Sequence, residues 1–293
     1  MGKSVNFFSD GIKITGVLFK PESMPATGCP AIVMCQGAVG LKELFGFPDI
    51  AQRFADLGYI TLIFDYRGFG ESEGERGRVF PQEHLDDIRN AVTFLSTQPG
   101  VDENRIALFG TSMGGAYVVG AGAIDTRPQW VISVVGYGEG ASLVRGGRSK
   151  EEWDDLLVAI NKDREKRIIA GHSAFVDERF ATVPAPENME VRARVIRAGS
   201  LDTNVPRQTY ETIEHGITFR PIDTVHRISP RPILFIGAEK DSVTPTNGIE
   251  AMYTKAIEPK KYEMLGGIGH YEVYEEPHVS RMIKLTDDWI KII

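Results

Sequence analysis

The chain is poor in cysteine, in basic charge and in long apolar runs. Only Cys29 and Cys35 are cysteines among its 293 residues, and they flank one short strand-like segment. Two thiols so placed build no disulfide framework, and a reducing cytoplasm is the expected setting. Acidic residues outnumber basic ones, 40 to 33, for a formal net charge of −7. General nucleic-acid binding needs a basic footprint, which excludes nucleic acid as a partner. No apolar stretch suits a membrane span, so no membrane partner is expected. The start, Met1-Gly2-Lys3-Ser4-Val5-Asn6, lacks a signal-peptide apolar region, and Asn6 breaks the N-myristoylation pattern. Internal repeats and low-complexity tracts are likewise missing. The ordinary apolar content, 42%, and the length suit one large α/β core.

What is present is an alternation of strand-like and helix-like segments. Residues 5–19 read as a hairpin around Ser9-Asp10-Gly11, a tight-turn signal. An amphipathic stretch at 44–57, an apolar run at 59–64, helical spacing at 84–95 and a strand-like run at 130–135 follow. Strands separated by helix-length segments imply right-handed crossovers and a mainly parallel sheet. The alternation stops at Tyr137-Gly138-Glu139-Gly140 and resumes near residue 229. Within the gap, Ser149-Lys150-Glu151-Glu152 is a capping box, and Trp153, Leu156, Leu157 and Ile160 form one apolar stripe behind it. A segment this long is too long for a plain loop. The expected organisation is an α/β core of residues 1–136 and 229–293 with a helical cap, 137–228, inserted into it. Trp153 either packs the cap on the core or touches substrate.

The most specific motif is Gly110-Thr111-Ser112-Met113-Gly114-Gly115, between the apolar run 105–109 and a helix-competent stretch at 116–123. A serine on so sharp a strand-to-helix turn needs small residues two before and two after it, and Gly110 and Gly114 supply them. Its hydroxyl then stands clear of the sheet at a helix N-terminus, where free N–H groups favour developing negative charge. The alternative is a plain serine N-cap, which predicts nothing about the rest of the chain. A nucleophile at Ser112 instead predicts an acid and then a histidine, in that order.

Both are found. The buried-strand pattern at 232–237 leads into Ala238-Glu239-Lys240-Asp241, which puts Asp241 at a strand's carboxyl end, with Glu239 as its rival. Of the six histidines, only His270 follows a strand-like run (261–265) through a flexible loop, Gly266-Gly267-Ile268-Gly269. His278 opens the last helix and is expected to face solvent. His84, with Asp86 and Asp87, suggests a metal cluster, but third and fourth ligands are missing. A solvated, acid-rich helix start is the expected cause, and no metal is assigned.

With these motifs in view, the chain resembles the α/β-hydrolase superfamily over nearly its whole length. The resemblance is carried by Phe64-Asp65-Tyr66-Arg67-Gly68-Phe69-Gly70-Glu71-Ser72, the Ser112 turn, the acid segment from Arg231-Pro232 to Pro245, and Gly269-His270-Tyr271. It is most similar to the dienelactone-hydrolase-like and X-Pro-dipeptidyl-peptidase/cocaine-esterase-like branches, and also to fungal polyketide-processing hydrolases and transferases. Many members carry His-Gly after the strand at 31–35; this chain has Gln36-Gly37-Ala38-Val39-Gly40. The resemblance implies an oxyanion site of backbone N–H groups, from Ala38 and Met113. Gln36 either touches substrate or pins the loop. Cys35 beside that loop reads as a small buried hydrophobe.

These residues imply a serine carboxylesterase-type hydrolase with a Ser112-Asp241-His270 triad, acting on a small-molecule ester or related acyl substrate without a cofactor. An acyltransferase, or a hydrolase of thioester, peptide or C–C bonds, would use the same triad. A silent scaffold of this fold would typically lose a triad member. Oligomeric state is left open, a homodimer included.

Overall fold

Side chains alternate across a central sheet from the first hairpin onward. In the computed structural model, which describes residues 2–38, 41–177, 180, 184–185, 187–188, 190 and 207–292, β1 (Lys3–Ser9) and β2 (Ile12–Phe19) pair antiparallel. Asp10 and Gly11 take positive φ in the two-residue turn, as a tight hairpin requires. The other strands are β3 (Cys29–Cys35), β4 (Ile60–Phe64), β5 (Val101–Thr111), β6 (Trp130–Val134), β7 (Ile233–Ala238) and β8 (Lys260–Leu265). They form one eight-stranded sheet in the order β1-β2-β4-β3-β5-β6-β7-β8, parallel from β4 to β8.

Helices cover both faces. On one side α2 (Pro81–Ser96) and α3 (Met113–Ile124) bury Leu85, Ile88, Val92, Val118 and Val119 against Val33 and Leu108. On the other, α1 (Phe47–Asp56) and the C-terminal helix (His278–Ile292) bury Ile50, Phe54, Met282 and Ile283 against Ile32, Met34 and Ile132. Strands covered on both faces read as near-continuous apolar runs, which is how β3 to β7 appear in sequence. The first helix starts at Phe47 rather than near Leu44, because Gly46 precedes it at positive φ and proline occupies its first turn.

Between β6 and β7 the described residues contain no strand, only a single bridge, Phe175 with Thr209. They contain α4 (Gly140–Arg145), α5 (Lys150–Ala170) and α6 (Tyr210–Thr218). Ser149 and Glu152 make the reciprocal capping bonds at the start of α5. Leu156 and Ile160 join Val176, Phe180 and Ile213 in a separate apolar cluster, with Trp153 packed at its edge. Two helices complete the chain: α7 (Thr246–Lys255) and α8, the C-terminal helix given above. Among the described residues no helix is long and apolar enough to cross a membrane.

The start of α2 departs from expectation. His84 and Asp87 are fully buried, not solvated. The Arg67 guanidinium reaches under the helix and donates to Asp87 Oδ1 at 2.7 and 2.9 Å, while the Arg67 backbone N–H takes Oδ2. His84 stacks on Tyr66 at 4.6 Å between ring centroids and, among the described residues, has no hydrogen-bond partner for either ring nitrogen. Burial, aided by the Arg67 charge, pushes its pKa down to about 3. The native state thus keeps His84 neutral where an unfolded chain takes up a proton, so stability falls as pH drops from about 6.5 towards 3. Between pH 6 and pH 5 this group should remove about 1 kcal/mol. Urea unfolding of His84→Phe, which keeps the stacked ring, should show a correspondingly shallower loss; equal slopes in both proteins would refute the assignment.

Candidate active site

Ser112 is the single residue between β5 and α3, at φ 56° and ψ −120°. A non-glycine residue held there stores about 1–3 kcal/mol of strain and persists only where its surroundings enforce it. Here they do. The Ser112 N–H donates to the Val134 carbonyl oxygen at 2.9 Å, locking the turn to the neighbouring strand. A Cβ at Gly110 would overlap the Gly114 carbonyl, and one at Gly114 would overlap the Cys35 carbonyl. Only glycine lets the helix start press this closely on the end of β3.

The loop after β7 carries Asp241, and the loop after β8 carries His270. His270 Nδ1 lies 2.7 Å from Asp241 Oδ2, and Nε2 lies 3.0 Å from Ser112 Oγ. The imidazole and carboxylate are almost wholly buried. A carboxylate against Nδ1 fixes the proton there and leaves the Nε2 lone pair towards the hydroxyl. Asp241 Oδ1 accepts the backbone N–H groups of Val243 at 2.9 Å and Thr244 at 2.7 Å. The Thr244 hydroxyl sits 2.9 Å from Asp241 Oδ2 and 2.8 Å from the Val135 carbonyl oxygen, tying the acid loop to the end of β6. Glu239, the rival acid, is exposed and accepts the Gly267 N–H at 2.6 Å, bracing the histidine loop without touching the imidazole. His278 opens α8, half-buried rather than fully exposed.

Gly37 packs beside the serine: a Cβ there would stand 3.1 Å from Ser112 Cβ. Gln36 is buried and its amide donates to the Phe64 carbonyl at 2.6 Å, the loop-pinning arrangement. Ala38 follows in an exposed turn; Val39 and Gly40 lie outside the described residues. Met113 begins α3, so its N–H belongs to the free first turn of that helix. Beyond the turn, Lys42 is buried with its ammonium 2.7 Å from both Asp65 and Glu71, and its N–H donates to Asp65 at 2.8 Å. Burial opposes the Lys42 charge, but the two carboxylates outweigh it and raise the pKa. The Asp65 to Ser72 motif therefore anchors the far end of the Gln36 loop. Burial pushes the Cys35 thiol up to about 12, so it stays protonated and inert.

Trp153 is half-buried at the edge of the helical cluster between β6 and β7, which is separate from the two core clusters on the sheet. No group of side chains among the described residues could hold a metal ion. Three positions were missed from sequence: Thr244, Lys42 and Glu187, the last of which accepts the His270 N–H at 2.6 Å. Lys42 and Glu187 lie outside the motifs, while Thr244 lies within the acid segment, where only the fold shows what its hydroxyl touches.

Residues 31–138 match the family model of the serine aminopeptidases, S33. The chain is 30% identical to thiohydrolase aneE of Aspergillus aculeatus, over 89% of this chain and 84% of that protein. It is 28% identical to the quorum-quenching protein AidA of Acinetobacter baumannii, over 100% and 99%. The crystal structure of the alpha/beta hydrolase GrgF from Penicillium sp. sh18 superposes with a TM-score of 0.85 at 26% identity, covering 100% of this chain and 98% of that one.

The contact of Gly114 with Cys35 yields a direct test. Gly114→Ala should lower stability by about 1–3 kcal/mol through overpacking and displace Ser112. Thermal unfolding matching the parent, with unchanged reactivity of the serine, would contradict so tight a contact.

Proposed function

Because the chain belongs to the α/β-hydrolase superfamily, we propose that it is a serine hydrolase cleaving carboxylic esters through an acyl-enzyme. The observation that carries this reading is the continuous relay from Asp241 through His270 to Ser112. His270 Nε2 takes the hydroxyl proton as Ser112 Oγ bonds to the acyl carbon, and the carbonyl electron pair moves onto oxygen. Backbone N–H groups of Met113 and Ala38 receive that oxyanion, where one such donor is commonly worth about 10²–10³ in rate. Collapse breaks the bond to the leaving group, which departs with the proton from His270. Water, activated by the same imidazole, then releases the acid. Asp241 holds the tautomer and offsets the imidazolium charge.

The likeness to a thiohydrolase favours a second acyl bond, the thioester, with a thiol as leaving group. We read residues 137–228 as a lid: they separate β6 from β7 along the chain although the two strands pair in the sheet, and their described helices have an apolar cluster of their own. In this reading Gln36 shapes the oxyanion loop and Trp153 packs the lid.

A fluorophosphonate probe should label Ser112, and Ser112→Ala should abolish both labelling and turnover. Matched p-nitrophenyl ester, thioester and anilide substrates should give turnover of the first two and little of the third. Modification mapped to another residue, with Ser112 untouched, would sink the proposal. Asp241→Asn should reduce kcat by about 10⁴, through the wrong imidazole tautomer; near-normal turnover would transfer the acid's role elsewhere.

A further inference from the structure

Glu187 belongs to the segment between β6 and β7, yet its carboxylate accepts hydrogen bonds from the loops that carry Asp241 and His270. Oε1 accepts the Ser242 N–H at 3.0 Å and the Ser242 hydroxyl at 2.6 Å. Oε2 accepts the His270 N–H at 2.6 Å. Ser242 is the next residue after the acid, and His270 is the base, so one side chain spans the pair whose separation sets the relay. The fit is close: a Cβ at Gly269 would come within 2.5 Å of Glu187 Oε2. The adjacent Asn188 accepts the Tyr271 hydroxyl at 2.6 Å, and the Tyr271 ring packs on Phe45, which precedes α1 at positive φ. Two neighbouring residues of the segment therefore grip the histidine loop on consecutive positions.

We propose that Glu187 is a positioning residue for the triad: it holds the Asp241 and His270 loops in register, which makes the placement of this segment a condition of turnover. The proposal rests on the serine-hydrolase reading above. The reason the group must be a carboxylate is its acceptor count. Three donors converge on two oxygens, and two of them, the backbone N–H groups of Ser242 and His270, cannot be turned around. A glutamine of the same shape offers one acceptor oxygen and one donor NH₂, so it sets a donor against either His270 or Ser242. A shift of about 1 Å at a reacting group is enough to cost about 10²-fold in rate.

The test is steady-state hydrolysis of p-nitrophenyl acetate, with rates normalised to sites titrated by fluorophosphonate so that misfolded protein does not count. Glu187→Gln should lower kcat by about 10–100-fold with KM within about twofold, the pattern of a misplaced base rather than lost substrate binding. Glu190→Gln, the same charge change at an exposed position, should match the parent. In a double-mutant cycle, Ser242→Ala should cost less in the Glu187→Gln background than in the parent, since both remove parts of one cluster. A parent-like kcat for Glu187→Gln, an equal loss for Glu190→Gln, or strictly additive losses in the cycle would each overturn the role of Glu187. Those results leave Ser112→Ala inactive if only this inference fails; an active Ser112→Ala instead marks failure of the serine-hydrolase reading itself.

Discussion

The structure depends on one steric constraint: the first turn of α3 lies directly against the carboxyl end of β3. That approach leaves no room for a side chain at Gly114, whose carbonyl in turn leaves none at Gly110, and Ser112 sits between the two glycines at positive φ. Everything reactive is then measured from that turn. The Gln36 loop must leave β3 beside the serine, and Gly37 allows it to pass. The hydrogen bond from Ser112 to Val134 fixes the turn to β6, whose next carbonyl, that of Val135, receives the Thr244 hydroxyl of the acid loop. Strain at one residue is thereby held by contacts to strands on both sides.

The charge pairs repeat this logic at the edges of the site. Arg67 with Asp87, and Lys42 with Asp65, are buried ion pairs with additional backbone bonds, and the exposed Glu71 adds a second carboxylate to Lys42. Pairs of this type add little net stability over an apolar replacement, but breaking one leaves an uncompensated charge. Their geometric role is clearer: they fix the Asp65 to Ser72 turn, and through Lys42 the exit of the loop that follows Ala38.

Much of this was legible in the sequence because the relevant signals are local. The hairpin turn, the strand runs and the glycine-flanked serine depend on residues a few positions apart, and the order of serine, acid and histidine follows from the order of the strands. Asp241 was separable from Glu239 by its distance from the strand end, and the structure gives Glu239 a bond to the glycine loop instead. The misreading of His84 and Asp87 has an equally plain cause. Acidic residues at a helix start usually face water, and the sequence offers no sign that Arg67, in the connection leading into the same helix, folds back beneath it. Glu187 escaped notice for the same reason: a single carboxylate outside any motif acquires meaning only from what folds against it.

The path of the sheet has a temporal consequence. The strand β6 presents an apolar edge, Trp130 to Val134, whose partner β7 is separated from it in sequence by all of residues 137–228. During synthesis that edge is made well before β7 can cover it, which leaves an unpaired strand of the kind that recruits other chains. Ser112 is made on the early side of this gap, while Asp241 and His270 arrive on the late side. Under the proposed function, a nascent chain therefore carries its serine without the groups that would activate it, and reactivity would await the strands that close the sheet.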